Sequence, residues 1–286
     1  MLLKTANLLG LVLVSQVDAA YEHVEGWPRG MPSESYALSA VGIDPYALGG
    51  AEVYVAQRGA NLTQPILVFN ETGDLVRSFG ADSIARDTTG TWGCHGLSVK
   101  STPSMETQIW VNDFVEFTTK VYSSDGKLLS EFGTKSDPGP DVAPLQFDKV
   151  ADTAFGSGES NMVYVSDGDG SSNHRVIAIE AGDVETLSQL SSEASPSKAR
   201  GHLRRSDSQD SNKILWIGGN NNTEGAFSDV VLGLSLTSMH SVAHHARTNT
   251  LFAADRENNR TLHVDAVSAP DAVHVCKSFF AVSLGD

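Results

Sequence analysis

The residues of this chain whose types could do chemistry are two histidines, an arginine and an aspartate beside strand-like runs. His95 begins the run His-Gly-Leu, His240 precedes Ser-Val-Ala, Arg58 precedes Gly, and Asp169 follows Asp-Gly. Imidazoles are zinc ligands, a guanidinium grips a carboxylate with two hydrogen bonds, and an ionised carboxylate can accept a proton. A lone histidine in a strand is more often structural, so the elements that carry these residues decide whether they can meet.

Those elements are short strand-like runs, bounded by Gly, Asp, Asn and Ser, that recur in a fixed order. The clearest run of each copy ends in or near Asp or Ala: Glu52–Ala56, Gln108–Asp113, Asn161–Gly168 and Thr250–Asp255. The first three copies lie about 55 residues apart, which is near the period of propeller blades. No stretch after the N-terminal segment shows sustained helical periodicity. The pattern predicts an all-β protein made of four-stranded antiparallel sheets.

Four motifs resemble those of a known family. Phe252–Arg260 resembles the NHL-repeat signature, and its Ala254–Asn258 "ADREN" part resembles peptidyl-α-hydroxyglycine α-amidating lyase, a six-bladed NHL propeller. His95–Leu97 resembles the "HGL" strand of that family, Met239–Ala243 its "PHS" strand, and Gln57–Gly59 its "xRG" segment. The matches cover residues 50 to 265 in the order of the family. The resemblance implies an NHL-type β-propeller over 20–286, with about four of the expected six blades.

The resemblance also implies a reaction, because this family cleaves C-terminal peptidyl-α-hydroxyglycine to a peptide amide and glyoxylate with zinc. It implies His95 and His240 as zinc ligands, Arg58 as the residue that holds the substrate carboxylate, and the Leu97 carbonyl as a ligand of structural calcium. Asp169 stands where the family has its catalytic tyrosine, so it is the candidate proton acceptor. The family's third zinc histidine, in a "PHD" strand, has no counterpart here, and four histidines are possible substitutes: His244, His245, His263 and His274.

Two other functions remain open. The first is a non-catalytic secreted NHL propeller that binds peptide or protein on one face, since fold alone does not choose a function. The second is a calcium-dependent lactonase-like or strictosidine-synthase-like propeller hydrolase, which is less favoured because its acidic metal-cage residues are not apparent. A third zinc ligand would distinguish the lyase from the non-catalytic propeller.

Charge and the N-terminal segment limit the partners and the compartment. With 35 Asp+Glu against 20 Lys+Arg, the formal net charge is −15, which argues against nucleic acid and anionic membrane surfaces as partners. Residues 1–19 have the parts of a secretory signal: Lys4, an apolar run at Leu8–Val14 and a small residue at Ala19. The run is too short to span a bilayer. We therefore expect a secreted or secretory-lumen protein with no membrane span in the mature chain.

Export would make three further features meaningful. Sequons begin at Asn61, Asn70, Asn221 and Asn259, which makes these residues glycosylation candidates. Cys94 and Cys276 would pair only if their Cα atoms come close, which the sequence does not reveal. Residues 185–205 are rich in Ser, Glu, Ala and Arg and poor in strand formers. They predict a flexible insertion in the propeller.

Overall fold

The computed structural model describes residues 24–32, 37–142, 144–157, 160–169, 173–182, 184–191, 212–219, 238–258, 260–265 and 281–283. Within these ranges, sixteen strands form four sheets. Sheet 1 holds β1 (Leu38–Asp44), β2 (Glu52–Gln57), β3 (Ile66–Asn70) and β4 (Leu75–Phe79). Sheet 2 holds β5 (Cys94–Thr102), β6 (Met105–Asp113), β7 (Thr118–Ser123) and β8 (Leu128–Phe132). Sheet 3 holds β9 (Val150–Phe155), β10 (Met162–Asp167), β11 (Arg175–Ala181) and β12 (Asn212–Gly219). Sheet 4 holds β13 (Met239–His245), β14 (Thr250–Asp255), β15 (Arg260–Asp265) and β16 (Ala281–Ser283).

Each sheet is an antiparallel meander, because strands that follow one another in the chain pair with one another. The turn between the third and fourth strands has the same form in sheets 1 and 2. Gly73 and Gly126 both take positive φ there, at 88° and 90°. A Cβ would lie 2.5 Å from the Trp27 ring at Gly73 and 2.6 Å from the Phe79 ring at Gly126. Only glycine satisfies both the backbone angle and the close packing.

The four sheets pack against one another in chain order. The first strands are neighbours, since β1 contacts β5, β5 contacts β9 and β9 contacts β13. A separate apolar cluster fills each interface. The large buried side chains of these three clusters include Tyr54 and Tyr122 in the first, Trp110 and Phe147 in the second, and Tyr164 and Leu251 in the third. Each such side chain contributes about 1.5–3 kcal/mol when it leaves water, so inter-sheet packing holds the first strands side by side.

The predicted all-β, NHL-type propeller architecture is therefore confirmed as four consecutive four-stranded sheets. The segment predicted as a flexible insertion at 185–205 differs over its described part, because Val184–Ser191 forms a 3-10 helix. Val184, Leu187 and Leu190 share one face at the 3-10 spacing and pack on the core between sheets 2 and 3. Residues 192–205, like the predicted signal at 1–19, lie outside the described residues. No helix that the structure describes is long and apolar enough to cross a bilayer.

Candidate functional site

The first strand of every sheet is irregular at the same place, one residue after it begins. In each case the pairing register shifts next to the strand's opening residue. The residues placed in these bulges are Ser39, His95, Ala151 and His240. A bulge turns a side chain away from the regular alternation of the strand. His95 and His240 thus occupy equivalent positions in sheets 2 and 4, at the same end of β5 and β13, which both contact β9.

A second set of equivalent positions follows the second strand of every sheet. Each second strand ends in a fully buried polar residue: Gln57, Asp113, Asp167 and Asp255. The residues just beyond them are Arg58, Phe114, Gly168 and Arg256, and Asp169 follows Gly168. Because the second strand pairs antiparallel with the first, its end lies beside the bulge. The repeat itself therefore brings the two sets of side chains to one place.

His95 is oriented by the backbone of the next sheet. Its Nδ1 lies 2.9 Å from the carbonyl oxygen of Ala151, and it must donate because a carbonyl can only accept. The other ring nitrogen, Nε2, lies 3.1 Å from Oδ2 of Asp169. The His240 ring stands edge-on to His95, with ring centroids 4.9 Å apart. Possible ligand atoms of His95, His240 and Asp169 all lie within 4.8 Å of one another.

The charge states suit a cation. The hydrogen bond and charge of His95, together with Arg256, hold the pKa of Asp169 at about 2 against the opposing effect of burial. Asp169 is therefore ionised at neutral pH. Burial and the neighbouring His95 lower the pKa of His240, so its ring is neutral and keeps a lone pair. The cluster offers lone pairs from two imidazoles and one carboxylate.

Arg58 lies on the same cavity as both histidines. This cavity of about 320 Å³ is lined by Ala37, Leu38, Ser39, Arg58, Thr91, His95 and His240. The Arg58 guanidinium lies over the Phe114 ring, 4.5 Å from its centroid. Its buried Nε has no hydrogen-bond partner within the described residues. A planar cation fixed on an aromatic face with a spare donor suits an incoming carboxylate.

Zinc fits this donor set. It takes imidazole nitrogen and carboxylate oxygen as ligands, and a site with three protein ligands leaves one position open. A histidine that binds metal through one nitrogen commonly donates its other N–H to a carbonyl, as His95 does to Ala151. The three side chains come from sheets 2, 3 and 4, whose first strands contact one another in that order.

Sequence reasoning placed some of these residues and missed others. The structure brings together His95 and His240, puts Arg58 on their cavity, and places Asp169 against His95. Arg256 was not among the candidate site residues, yet its Nη1 lies 2.7 Å from Oδ1 of Asp169. The signal available in the sequence was its place directly after Asp255, which matches the place of Arg58 after Gln57.

The other histidines and Leu97 lie apart from the cluster. His244 Nε2 contacts Asn249 and His245 Nδ1 contacts Thr248, both near the opposite end of β13. The side chain of His263 and all of His274 lie outside the description. Leu97 pairs with Val111, and its side chain is buried between sheets 1 and 2. Among the described residues, no cluster of His, Cys, Asp or Glu side chains supplies further ligands for a calcium ion at the Leu97 carbonyl. Calcium binding there stays a prediction.

The candidates for modification differ in accessibility. Asn61 is exposed, whereas Oδ1 of Asn70 accepts hydrogen bonds from Thr72 Oγ1 and Asp74 N, both at 2.8 Å. Asn221 and Asn259 lie outside the described residues. Cys94 is a buried free thiol whose Sγ lies 3.0 Å from the Gln57 carbonyl oxygen, and burial raises its pKa to about 12. Cys276, its possible partner, also falls outside the description.

Comparison with known proteins identifies two sequence relatives. NHL repeat-containing protein 3 of Mus musculus is 34% identical over 158 residues, which are 54% of this chain and 41% of that protein. NHL repeat-containing protein 3 of Homo sapiens is 32% identical over 196 residues, 67% of this chain and 52% of that protein. The chain spans about half the length of the curated relatives it matches. No family profile matches the chain.

Two solved structures resemble this chain at low sequence identity. A nidogen/laminin complex has 12% identity over 80% of this chain and 59% of that chain, with a TM-score of 0.43. A streptogramin B lyase has 12% identity over 83% of this chain and 54% of that chain, also with a TM-score of 0.43. Such likenesses are too weak to carry an argument about function. The two sequence relatives and the four repeated sheets nevertheless support an NHL-repeat protein with a β-propeller fold.

Proposed function

We propose that this chain is a secreted NHL-repeat propeller that binds zinc through His95 and His240 and acts as a lyase on C-terminal peptidyl-α-hydroxyglycine. One observation carries the proposal: two imidazoles 4.9 Å apart and the Arg58 guanidinium share one cavity. That combination suits a ligand with a carboxylate beside an oxygen that can approach a metal. The amidating-lyase motifs of the sequence supply the reaction, and the signal-like residues 1–19 supply the compartment.

The reaction divides a carbinolamide into an amide and an aldehyde. The hydroxyl of the substrate loses its proton, the C–N bond breaks, the oxygen forms the C=O of glyoxylate, and the nitrogen gains a proton to become the amide. Zinc, when bound, supplies Lewis acidity at that hydroxyl. Arg58 holds the substrate carboxylate through its spare donors, while Phe114 keeps the guanidinium plane fixed. Ala151 keeps the His95 ring turned toward the cluster.

A second candidate is peptide or protein binding without catalysis, and one observation favours it. Asp169 occupies the place where the amidating lyases have their tyrosine, and its pKa of about 2 makes it a weak base. Arg256 and His95 further engage both carboxylate oxygens. In this form the cavity would hold a C-terminal carboxylate through Arg58 without cleaving it.

The deciding experiment measures glyoxylate release from an α-hydroxyglycine peptide by the purified full chain with zinc. The lyase proposal expects release above the enzyme-free rate, and expects Arg58→Ala and His95→Ala to abolish it. Absence of glyoxylate at any zinc level removes the lyase. The non-catalytic alternative then stands only if a peptide with a free C-terminus binds in an Arg58-dependent manner.

Arg58 has a specific expected effect in the binding assay. Arg58→Ala should weaken the affinity for a carboxylate-terminated peptide about 10- to 100-fold, because hydrogen bonds to a charged group contribute about 1.5–3 kcal/mol. Affinity for the matching C-terminal amide should not change. Arg29→Ala is the control, since Arg29 is exposed and pairs only loosely with Asp74 at 3.8 Å. Equal loss with both peptides would contradict the role of Arg58 in holding the carboxylate.

A further inference from the structure

We infer that Asp169 is the third metal ligand of the site, so that the chain binds its ion with two histidines and one carboxylate. The inference rests on the metal-binding part of the proposed function and replaces the proton-accepting role expected for Asp169. It gives the site an oxygen ligand beside its two histidines.

The first argument comes from the hydrogen bonding of His95. Because Nδ1 donates to the Ala151 carbonyl, Nε2 is the ring nitrogen of His95 that faces the cluster. That nitrogen lies 3.1 Å from Oδ2 of Asp169. A ring nitrogen and a carboxylate oxygen at this distance are joined either by a proton or by a metal cation that takes its place. His240 places a third set of lone pairs beside the same point.

The second argument is that the two carboxylate oxygens of Asp169 face different groups. Oδ1 lies 2.7 Å from Nη1 of Arg256. The contact is an ion pair without the alignment of a hydrogen bond. Oδ2 faces the histidines instead. A carboxylate held through one oxygen keeps the other available to an ion, as carboxylate ligands supported by outer contacts do.

The third argument excludes the other nearby carboxylate. Asp152, on β9, also lies close to the cluster, but its Oδ2 already accepts hydrogen bonds from Ser241 Oγ at 2.6 Å and from Val242 N at 3.2 Å. It therefore fastens β9 to β13 and is not one of the three residues whose ligand atoms converge. Asp152 thus gives a matched control of the same type, charge and neighbourhood.

The experiment measures zinc affinity of the full chain by competition with a chromophoric chelator. Asp169→Ala should lower the affinity by at least about 30-fold, since even the loss of an outer contact costs about 10- to 100-fold. Asp169→His should restore it to within about tenfold, because it completes a three-histidine set. Asp152→Asn should change it by less than about threefold. Asp169→Asn keeps a neutral oxygen and should give an intermediate loss, which serves if the alanine variant does not fold.

X-ray absorption at the zinc edge gives a readout independent of activity. The wild-type chain should show two imidazoles bound to zinc, and Asp169→His should show three. If Asp169→Ala binds zinc as tightly as wild type while His95→Ala does not, Asp169 is no ligand, and only this inference fails. If wild type and His95→Ala bind zinc equally weakly, the metal-binding part of the proposed function fails with it.

Discussion

Two charged clusters lie near the ends of second strands, where Asp113 ends β6 and Asp169 follows the end of β10, and they differ in whether their polar atoms are fully used. In sheet 2, Lys120 is completely buried, and its Nζ contacts Asp113, Glu116 and Glu131 at 3.1, 3.0 and 2.7 Å and Thr118 Oγ1 at 2.8 Å. Burial alone would lower the pKa of Lys120, but the carboxylates, led by Asp113, outweigh it and raise that pKa. The ammonium has no donor left for a ligand.

The His95 cluster has the opposite character. The side chains of His95 and Asp169 are 16% and 19% exposed, and both histidines line a cavity. Nε2 of His95 and Oδ2 of Asp169 face the point where His240 also converges, and Arg58 keeps an unpaired Nε within the described residues. A cluster whose polar atoms satisfy one another stabilises the fold, whereas a cluster with unused lone pairs beside a cavity is suited to a ligand. Both kinds lie near the end of a second strand, β6 for the Lys120 cluster and β10 for the His95 cluster.

The largest effect that tests this contrast is the removal of Lys120. Lys120→Ala leaves Asp113 buried without its cation and Glu116 and Glu131 crowded beside it, so it should lower the free energy of unfolding by about 3–5 kcal/mol. Urea unfolding monitored by tryptophan fluorescence measures the loss. Zinc affinity of the folded fraction should not change, since none of the four side chains that Lys120 contacts is a candidate metal ligand.

Lys135→Ala is the matched control for Lys120. Lys135 pairs with the same Glu116 at 2.8 Å, yet its side chain is 56% exposed. Its removal should cost at most about 1 kcal/mol, as exposed pairs do. Equal losses for the two lysines would show that burial does not separate the clusters and would remove the basis of the comparison.

His95→Ala should show the reverse pattern. Without metal, the variant loses the hydrogen bond to Ala151 and the partly exposed pair with Asp169, so the free energy of unfolding should fall by only about 1–2 kcal/mol. With zinc, affinity should fall by about 100-fold or more, because a ligand is lost. His244→Ala, which removes a ring stacked on Tyr164 at the other end of β13, should leave zinc affinity unchanged. A large metal-free loss in His95→Ala would make that residue structural.

Much of the fold could be predicted because its strands are regular. The run predicted at Thr250–Asp255 is β14 without change, and the run at Glu52–Ala56 differs from β2 by one residue. Alternating and β-branched residues carry that information locally. The 3-10 helix at Val184–Ser191 could not be foreseen, because its polar composition predicts a loop and only packing against the core stabilises it.

The site was less predictable than the strands. The types and order of His95, His240 and Arg58 were visible through motifs, but the bulges that aim both histidines are shifts of register, which leave no mark in a period-two pattern. The contact between Asp169 and His95 joins different sheets, so it depends on how sheets 2 and 3 pack. The contact between Arg256 and Asp169 could not be predicted either, because the sequence does not show that the two side chains lie opposite each other.

The smallest expected effect concerns a cluster between the two extremes, the pair of Glu52 and Arg77 in sheet 1. Two hydrogen bonds of 2.6 and 2.5 Å join them, and Tyr54 donates to the same carboxylate at 2.8 Å. The hydrogen bonds from Arg77 chiefly lower the pKa of Glu52 below its usual 4.5. The stability that ionised Glu52 contributes is therefore fully present above pH 4.5 and is lost as pH falls through the lower folded pKa.

Glu52→Gln should consequently flatten the dependence of Tm on pH below about pH 4.5. At pH 7 it should cost at most about 1 kcal/mol, because the pair is only partly buried. Thermal unfolding followed by circular dichroism from pH 7 to pH 3 measures both effects, with Glu106→Gln, an exposed residue of β6, as the control. Parallel curves for wild type and Glu52→Gln would mean that the pair is too hydrated to depend on charge. In that case the Glu52–Arg77 pair would behave like an ordinary exposed ion pair. Complete burial, as at Lys120, would then be the condition for a charge cluster that stabilises the fold.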